Sequence, residues 1–176
     1  MADVTVLGIG NILMQDDGVG VRLMEALRAS RRWPGSVEFI DGGTGGLGLL
    51  TVIESARRLA VFDAADMGLA PGSHRVIGER ELAAQATGHR LSLHDLSFPE
   101  TLRLTRLSGA GPEETVILAI QPEVVDFGTT IGDSLRAAMA GLVEIATGLV
   151  EGMLKQPSRA GGVSAAADPV GSDEAR

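Results

Sequence analysis

The chain contains no cysteine, which excludes thiol catalysis, disulfide bonds and every zinc or iron-sulfur site built on thiolates. Aromatic residues make up only 3% of its 176 residues against 44% hydrophobic, so the core has to be built from Leu, Val, Ile and Ala, the mixture of sheets covered by helices. Positive charge is also scarce. The formal net charge is -8 and Lys and Arg never cluster beyond a pair, which argues against a nucleic-acid partner. No stretch is read as reaching membrane-spanning length, and the amino terminus "MADVTVLGIGN" lacks a basic region followed by a long apolar run. The expectation is a cytoplasmic protein with no membrane partner.

What is present is glycine, 24 residues of it, and strands that alternate with helices. "VTVLGIG" (4–10), "SVEFID" (36–41), "RRLAVFDAAD" (57–66) and "TVILAIQP" (115–122) read as strands, with "GSHRVIGE" (72–79) as a short extra one. Helical spacing is predicted from Asp17 to about Arg31, over 46–55, over 97–107 with Ser97 and Glu100 as a capping box, and over a long closing segment capped by Asp133. Trp33 is expected to pack at a helix end, and His74 and His89 at the surface. Asp66, Asp95 and Glu100 read as local caps, and "PEVVD" (122–126) as an acidic loop. The pattern predicts a three-layer α/β/α sandwich with a mostly parallel central sheet and room for one antiparallel edge, formed by a single domain over 1–155. Residues 156–176 are small, polar and aperiodic and read as a disordered tail.

Such a sheet gathers ligands at the carboxyl ends of its strands, which directs attention to "GIGNILMQDDGVG" (8–20). A dinucleotide loop would need a third glycine where the chain has Leu13, and Asp16 and Asp17 would repel a pyrophosphate, although Asp41 closes the next strand as a ribose-binding acid would. The loop prefers a cation. Asp16 reads as a helix cap, while Asp17 is available as a ligand. Asp63 ends an apolar strand, where an acid is costly unless it faces a polar crevice or a cation, and His94 sits in the loop "LSLHDL". Two carboxylates and one imidazole suit a borderline divalent ion with positions left open for water or substrate.

These segments together resemble the nickel-iron hydrogenase maturation endopeptidases. "VLGIGNILMQDDGVG" is similar to the family's amino-terminal signature, "DGGTGG" (41–46) to its second, "FDAAD" (62–66) to its third-strand acid, "SLHDL" (92–96) to its Ser-x-His loop, and "AIQPE" (119–123) to its last strand. The likeness runs over about residues 3–155 and departs at Ile131-Gly132, where the family commonly has Leu-Ser.

The resemblance implies a three-layer sandwich, metal-binding and catalytic roles for Asp17, Asp63 and His94, and substrate recognition by Asp41, Gly42, Gly43 and Thr44. It implies removal of a carboxyl-terminal extension from the large-subunit precursor of a nickel-iron hydrogenase, the partner, with nickel presented by that precursor rather than held as a resident cofactor. A monomer is expected. Neither a Gly-x-Ser-x-Gly elbow nor a His-Glu-x-x-His helix is present, so metal-assisted hydrolysis fits, with Asp16 or Asp41 assisting through water or by orienting a ligand. Three rivals stand beside it: an aspartic dyad of Asp17 and Asp63 sharing a proton, a nickel-sensing chaperone that binds the precursor without cutting it, and a nucleotide-binding enzyme.

Overall fold

A computed structural model describes residues 2–46, 48–78, 81 and 98–157. The β-branched run after the amino terminus becomes β1 (Val4–Gly8), and the other apolar runs become β2 (Val37–Asp41), β3 (Arg58–Ala64), β4 (His74–Gly78) and β5 (Glu114–Ile120). They form one sheet in the order β2-β1-β3-β5-β4, parallel throughout except for β4, which runs antiparallel to β5 at the edge. The expected mixed sheet is therefore present, with its extra strand as the antiparallel edge.

Successive side chains of a strand point to opposite faces, and the central strands use both. Val4, Val6, Ala60, Phe62, Leu118 and Ile120 face one layer, formed by α1 (Val19–Ser30) and α4 (Asp133–Lys155). Leu7, Ile9, Leu59, Val61, Ile117 and Ala119 face the other, formed by α2 (Leu49–Ser55) and α3 (Phe98–Leu107). Helix, sheet and helix make the three layers. Trp33 lies where expected, its Nε1 donating to the Leu27 carbonyl at 2.8 Å and its ring edge-on to Phe39.

Two expectations need correction. The segment Asp133–Lys155 is 23 residues long with a mean hydropathy of 1.5 in its most apolar window, so one stretch does reach membrane-spanning length and composition. Its stripe of Leu135, Leu142, Ala146, Val150 and Met153 packs in the core beside α1, while Met139, Val143, Ile145, Leu149 and Leu154 pack against that core only partly buried. Asp133 is not its cap: Gly132 occupies that position without a side-chain hydrogen bond, and Asp133 pairs with Arg136 one turn on at 3.0 Å. At the far end the buried Arg58 donates to the carbonyls of Gln156 and Pro157, tying the end of α4 to the start of β3. The rest of the expected tail, the proposed Ser97 cap and His89 lie outside the described residues.

Between β1 and α1 the chain comes unusually close to the sheet. A Cβ on Gly20 would stand 2.2 Å from the Phe62 carbonyl oxygen and 2.3 Å from that of Ile9, and one on Gly10, at φ +136°, would stand 1.9 Å from the Asp17 carbonyl oxygen. Only glycine lets the start of α1 sit directly on the ends of β1 and β3. Overpacking against rigid backbone predicts that Gly20→Ala lowers unfolding free energy by about 3 kcal/mol in urea titration with an unchanged slope. A loss below about 0.5 kcal/mol, the range of ordinary surface substitutions, would contradict this contact.

Candidate active site

In the 2-1-3 part of the sheet, the connections leaving β1 and β3 head in opposite directions, which opens a crevice at their carboxyl ends. Two acids meet there. Asp17 lies on the 3-10 turn Gln15–Gly18 that leads into α1, and Asp63 is the penultimate residue of β3. Both are buried, at 3% and 6% exposure. One Asp17 oxygen accepts the Asn11 amide at 2.8 Å, which fixes the carboxylate over the glycine turn.

Asp63 points to the α2/α3 side of the sheet, into a cavity of about 10 Å³ lined by Val61, Ala65, Ile77, Phe98, Ile117 and Ala119. That volume holds about one water. The apolar wall explains the electrostatics. Burial pushes the Asp63 carboxyl well above its ordinary value of 3.8, the Asp17 charge pushes it further in the same direction, and a hydrogen bond with the Ala64 backbone offsets part of the shift. An acid pair of this kind has two ways to lower its free energy: it takes up a proton or it takes up a cation.

His94 lies outside the described residues, so the third expected ligand has no position here. Among the described residues no cluster of three or more His, Asp or Glu side chains is in place to hold a metal. The chemistry of the two acids still fits a cation, since they offer carboxylate oxygens at a place where their charges repel each other.

The segment Asp41–Thr44 lies beside the same turn. Gly42 donates to the Gly8 carbonyl at 2.8 Å, and Gly10 donates to that of Gly43 at 2.7 Å. Asp41 is exposed and accepts the Gly43 amide at 2.8 Å, a local turn that leaves its other oxygen at the surface, and Thr44 is exposed as well. His74 is exposed as expected, and Asp66 closes its own turn by accepting the Gly68 amide.

Asp16 differs from expectation. It caps nothing in α1, whose amino-terminal position is Gly18 without a side-chain hydrogen bond. Its carboxylate instead accepts backbone amides from Glu123 at 2.8 Å, Val124 at 2.9 Å and Gly132 at 2.6 Å. The acidic loop of 122–126 is thereby attached to the first turn. Sequence reasoning also missed Gln121, whose Oε1 accepts the Met67 and Leu69 amides and orders the chain leaving β3. A buried amide ending an apolar strand was the available signal.

The sequence model of the HycI hydrogenase maturation proteases matches residues 21–149. The hydrogenase expression/formation protein HoxM of Azotobacter vinelandii is 39% identical over 145 residues, 82% of this chain and 70% of the relative. The hydrogenase 2 maturation protease of Escherichia coli is 34% identical over 124 residues, 70% of this chain and 75% of its own length. Among solved structures, the hydrogenase maturating endopeptidase HybD of E. coli superimposes with a TM-score of 0.77 at 30% identity, covering 86% of this chain and 93% of that one. The [NiFe] hydrogenase maturation protease HybD of Thermococcus kodakarensis gives 0.68 at 25% identity, covering 85% and 99%.

The charge arrangement predicts a pH dependence. Because the folded Asp63 carboxyl titrates above its unfolded value, the stability associated with its protonated form is complete below about pH 3.8 and is lost as pH rises through the raised value. The neutral isostere Asp63→Asn carries no such loss. Melting curves of the metal-free protein are therefore expected to place the variant above the unmodified chain at pH 8, with the gap closing toward pH 4. A variant that melts lower at pH 8 would show that the carboxylate is stabilised where it stands.

Proposed function

The chain belongs to the hydrogenase maturation protease family, and on that basis we propose that it removes a carboxyl-terminal extension from the nickel-loaded large-subunit precursor of a nickel-iron hydrogenase. The observation that carries this reading is the meeting of Asp17 and Asp63 at the carboxyl ends of β1 and β3, where burial and the Asp17 charge both disfavour an ionised Asp63. In this reading the nickel arrives as part of the substrate. Asp17 and Asp63 each give it a carboxylate oxygen and His94 an imidazole nitrogen, a donor set that suits a borderline ion and leaves positions open. A cation so placed polarises the scissile carbonyl or lowers the pKa of the attacking water. Asp41, Gly42, Gly43 and Thr44 flank the crevice from β2 and contact the precursor. The enzyme acts in the cytoplasm as a monomer of one domain, with 156–176 outside the catalytic part.

The rival in which Asp17 and Asp63 share a proton as an aspartic dyad draws on the same raised Asp63 carboxyl. Chelation separates the two. Cleavage by the metal route stops when nickel is stripped from the precursor and returns on its restoration, whereas a dyad cuts either form.

The residues are tested one at a time. Asp17→Asn, Asp63→Asn and His94→Ala are each expected to slow release of the carboxyl-terminal peptide by about a hundredfold or more, as loss of a group that stabilises developing charge does, with an unchanged circular dichroism spectrum. Normal processing by any of the three would remove that residue from the site.

A further inference from the structure

Asp16 is completely buried and gives α1, the helix it precedes, no side-chain cap. Its two oxygens take three backbone amides from a loop more than 100 residues further along the chain, as the separations of 107, 108 and 116 residues show. Further ties run beside it. Gln15 donates to the Gly128 carbonyl at 2.9 Å, Gly128 to that of Leu13 at 2.9 Å, Asp16 to that of Val124 at 3.2 Å, and Arg22 holds the carbonyls of Ile12 and Thr129. The fit is close: a Cβ on Gly132 would stand 3.2 Å from the Asp16 and Glu123 carboxylates, which would have to give by a few tenths of an ångström.

The clasped loop turns apolar side chains outward. Ile12, Leu13, Val124, Val125 and Phe127 are all exposed, Phe127 at 84%, and among the described residues only Leu69, Val76 and Leu107 are other large hydrophobics so exposed. Five such residues on two adjoining backbone stretches form a patch of the kind that marks a protein-binding surface. The patch is carried by the turn that carries Asp17: Ile12 and Leu13 follow Asn11, whose amide donates to Asp17, and Gly128, next to Phe127, donates to the Leu13 carbonyl.

We propose that Asp16 is a positioning residue that holds the 122–132 loop as an apolar lip beside Asp17, and that this lip receives an apolar stretch of the hydrogenase precursor next to the scissile bond. The inference rests on the processing activity proposed above. A carboxylate is needed because all three partners are donors; an amide in its place has one acceptor oxygen and turns its own N–H groups toward a backbone N–H.

The test is steady-state cleavage of nickel-loaded precursor by the full chain and by Asp16→Asn, Asp16→Ala and Phe127→Ser, joined to precursor binding and amide hydrogen exchange at Glu123, Val124 and Gly132. Loss of a charge-assisted hydrogen bond predicts that Asp16→Asn speeds exchange at those amides and raises KM by about tenfold, with kcat within about threefold. Phe127→Ser, at an exposed position, is expected to raise KM by about tenfold through lost apolar burial while leaving exchange unchanged. Unchanged KM in Phe127→Ser, or a fall in kcat with unchanged KM in Asp16→Asn, would overturn the proposal. If both Asp16 variants fail to fold, Phe127→Ser still decides the lip. If the unmodified chain leaves the precursor uncut, the processing reading fails, and the lip stands or falls on whether Phe127→Ser weakens precursor binding.

Discussion

Two carboxylates brought together where little water reaches them is the constraint on which this structure turns. Asp17 and Asp63 repel one another, and the apolar wall of Val61, Ile77, Phe98 and Ile117 denies Asp63 the solvent that would screen that repulsion. The rest of the molecule supplies the stability that tolerates this arrangement. Both faces of the sheet are covered, and the side chains beneath the pair, Phe62, Leu7 and Leu118, are fully buried.

The position of the pair follows from topology and from glycine. The connections that leave the paired strands β1 and β3 in opposite directions open a crevice at their carboxyl ends, and Gly10 and Gly20 bring the turn carrying Asp17 down onto those ends. The same turn then recruits distant chain. Through Asp16 and the bridge between Met14 and Gly128, the segment after β5 is fastened to the segment after β1, so the acids, the Asp41–Thr44 turn and the apolar lip share one rim.

Most of the fold was legible in the sequence because the signals were local. Runs such as "VTVLG" and "ETVILAI" state buried parallel strands directly, and Asp63 stands out as an acid ending one of them. The closing helix was recognisable by its spacing, yet its apolar content was underrated, since a stripe that serves the core also passes as membrane-spanning by composition. Asp16 was misread for a different reason. Next to a helix start, a carboxylate looks like a cap, and nothing in the nearby residues tells that its partners lie at Glu123, Val124 and Gly132. The departure at Ile131-Gly132 takes on meaning only in this context, because Gly132 is the residue whose amide closes the clasp and whose missing Cβ makes room for it.

The most direct measurement of the central claim is the intact mass of the hydrogenase large-subunit precursor after incubation with this protein, in nickel-loaded and nickel-free forms side by side. The account predicts loss of one carboxyl-terminal peptide from the loaded form alone. Equal cleavage of both forms would contradict a substrate-borne cation at Asp17 and Asp63, and an uncut loaded precursor that another protease of the family does cut would contradict the assigned substrate.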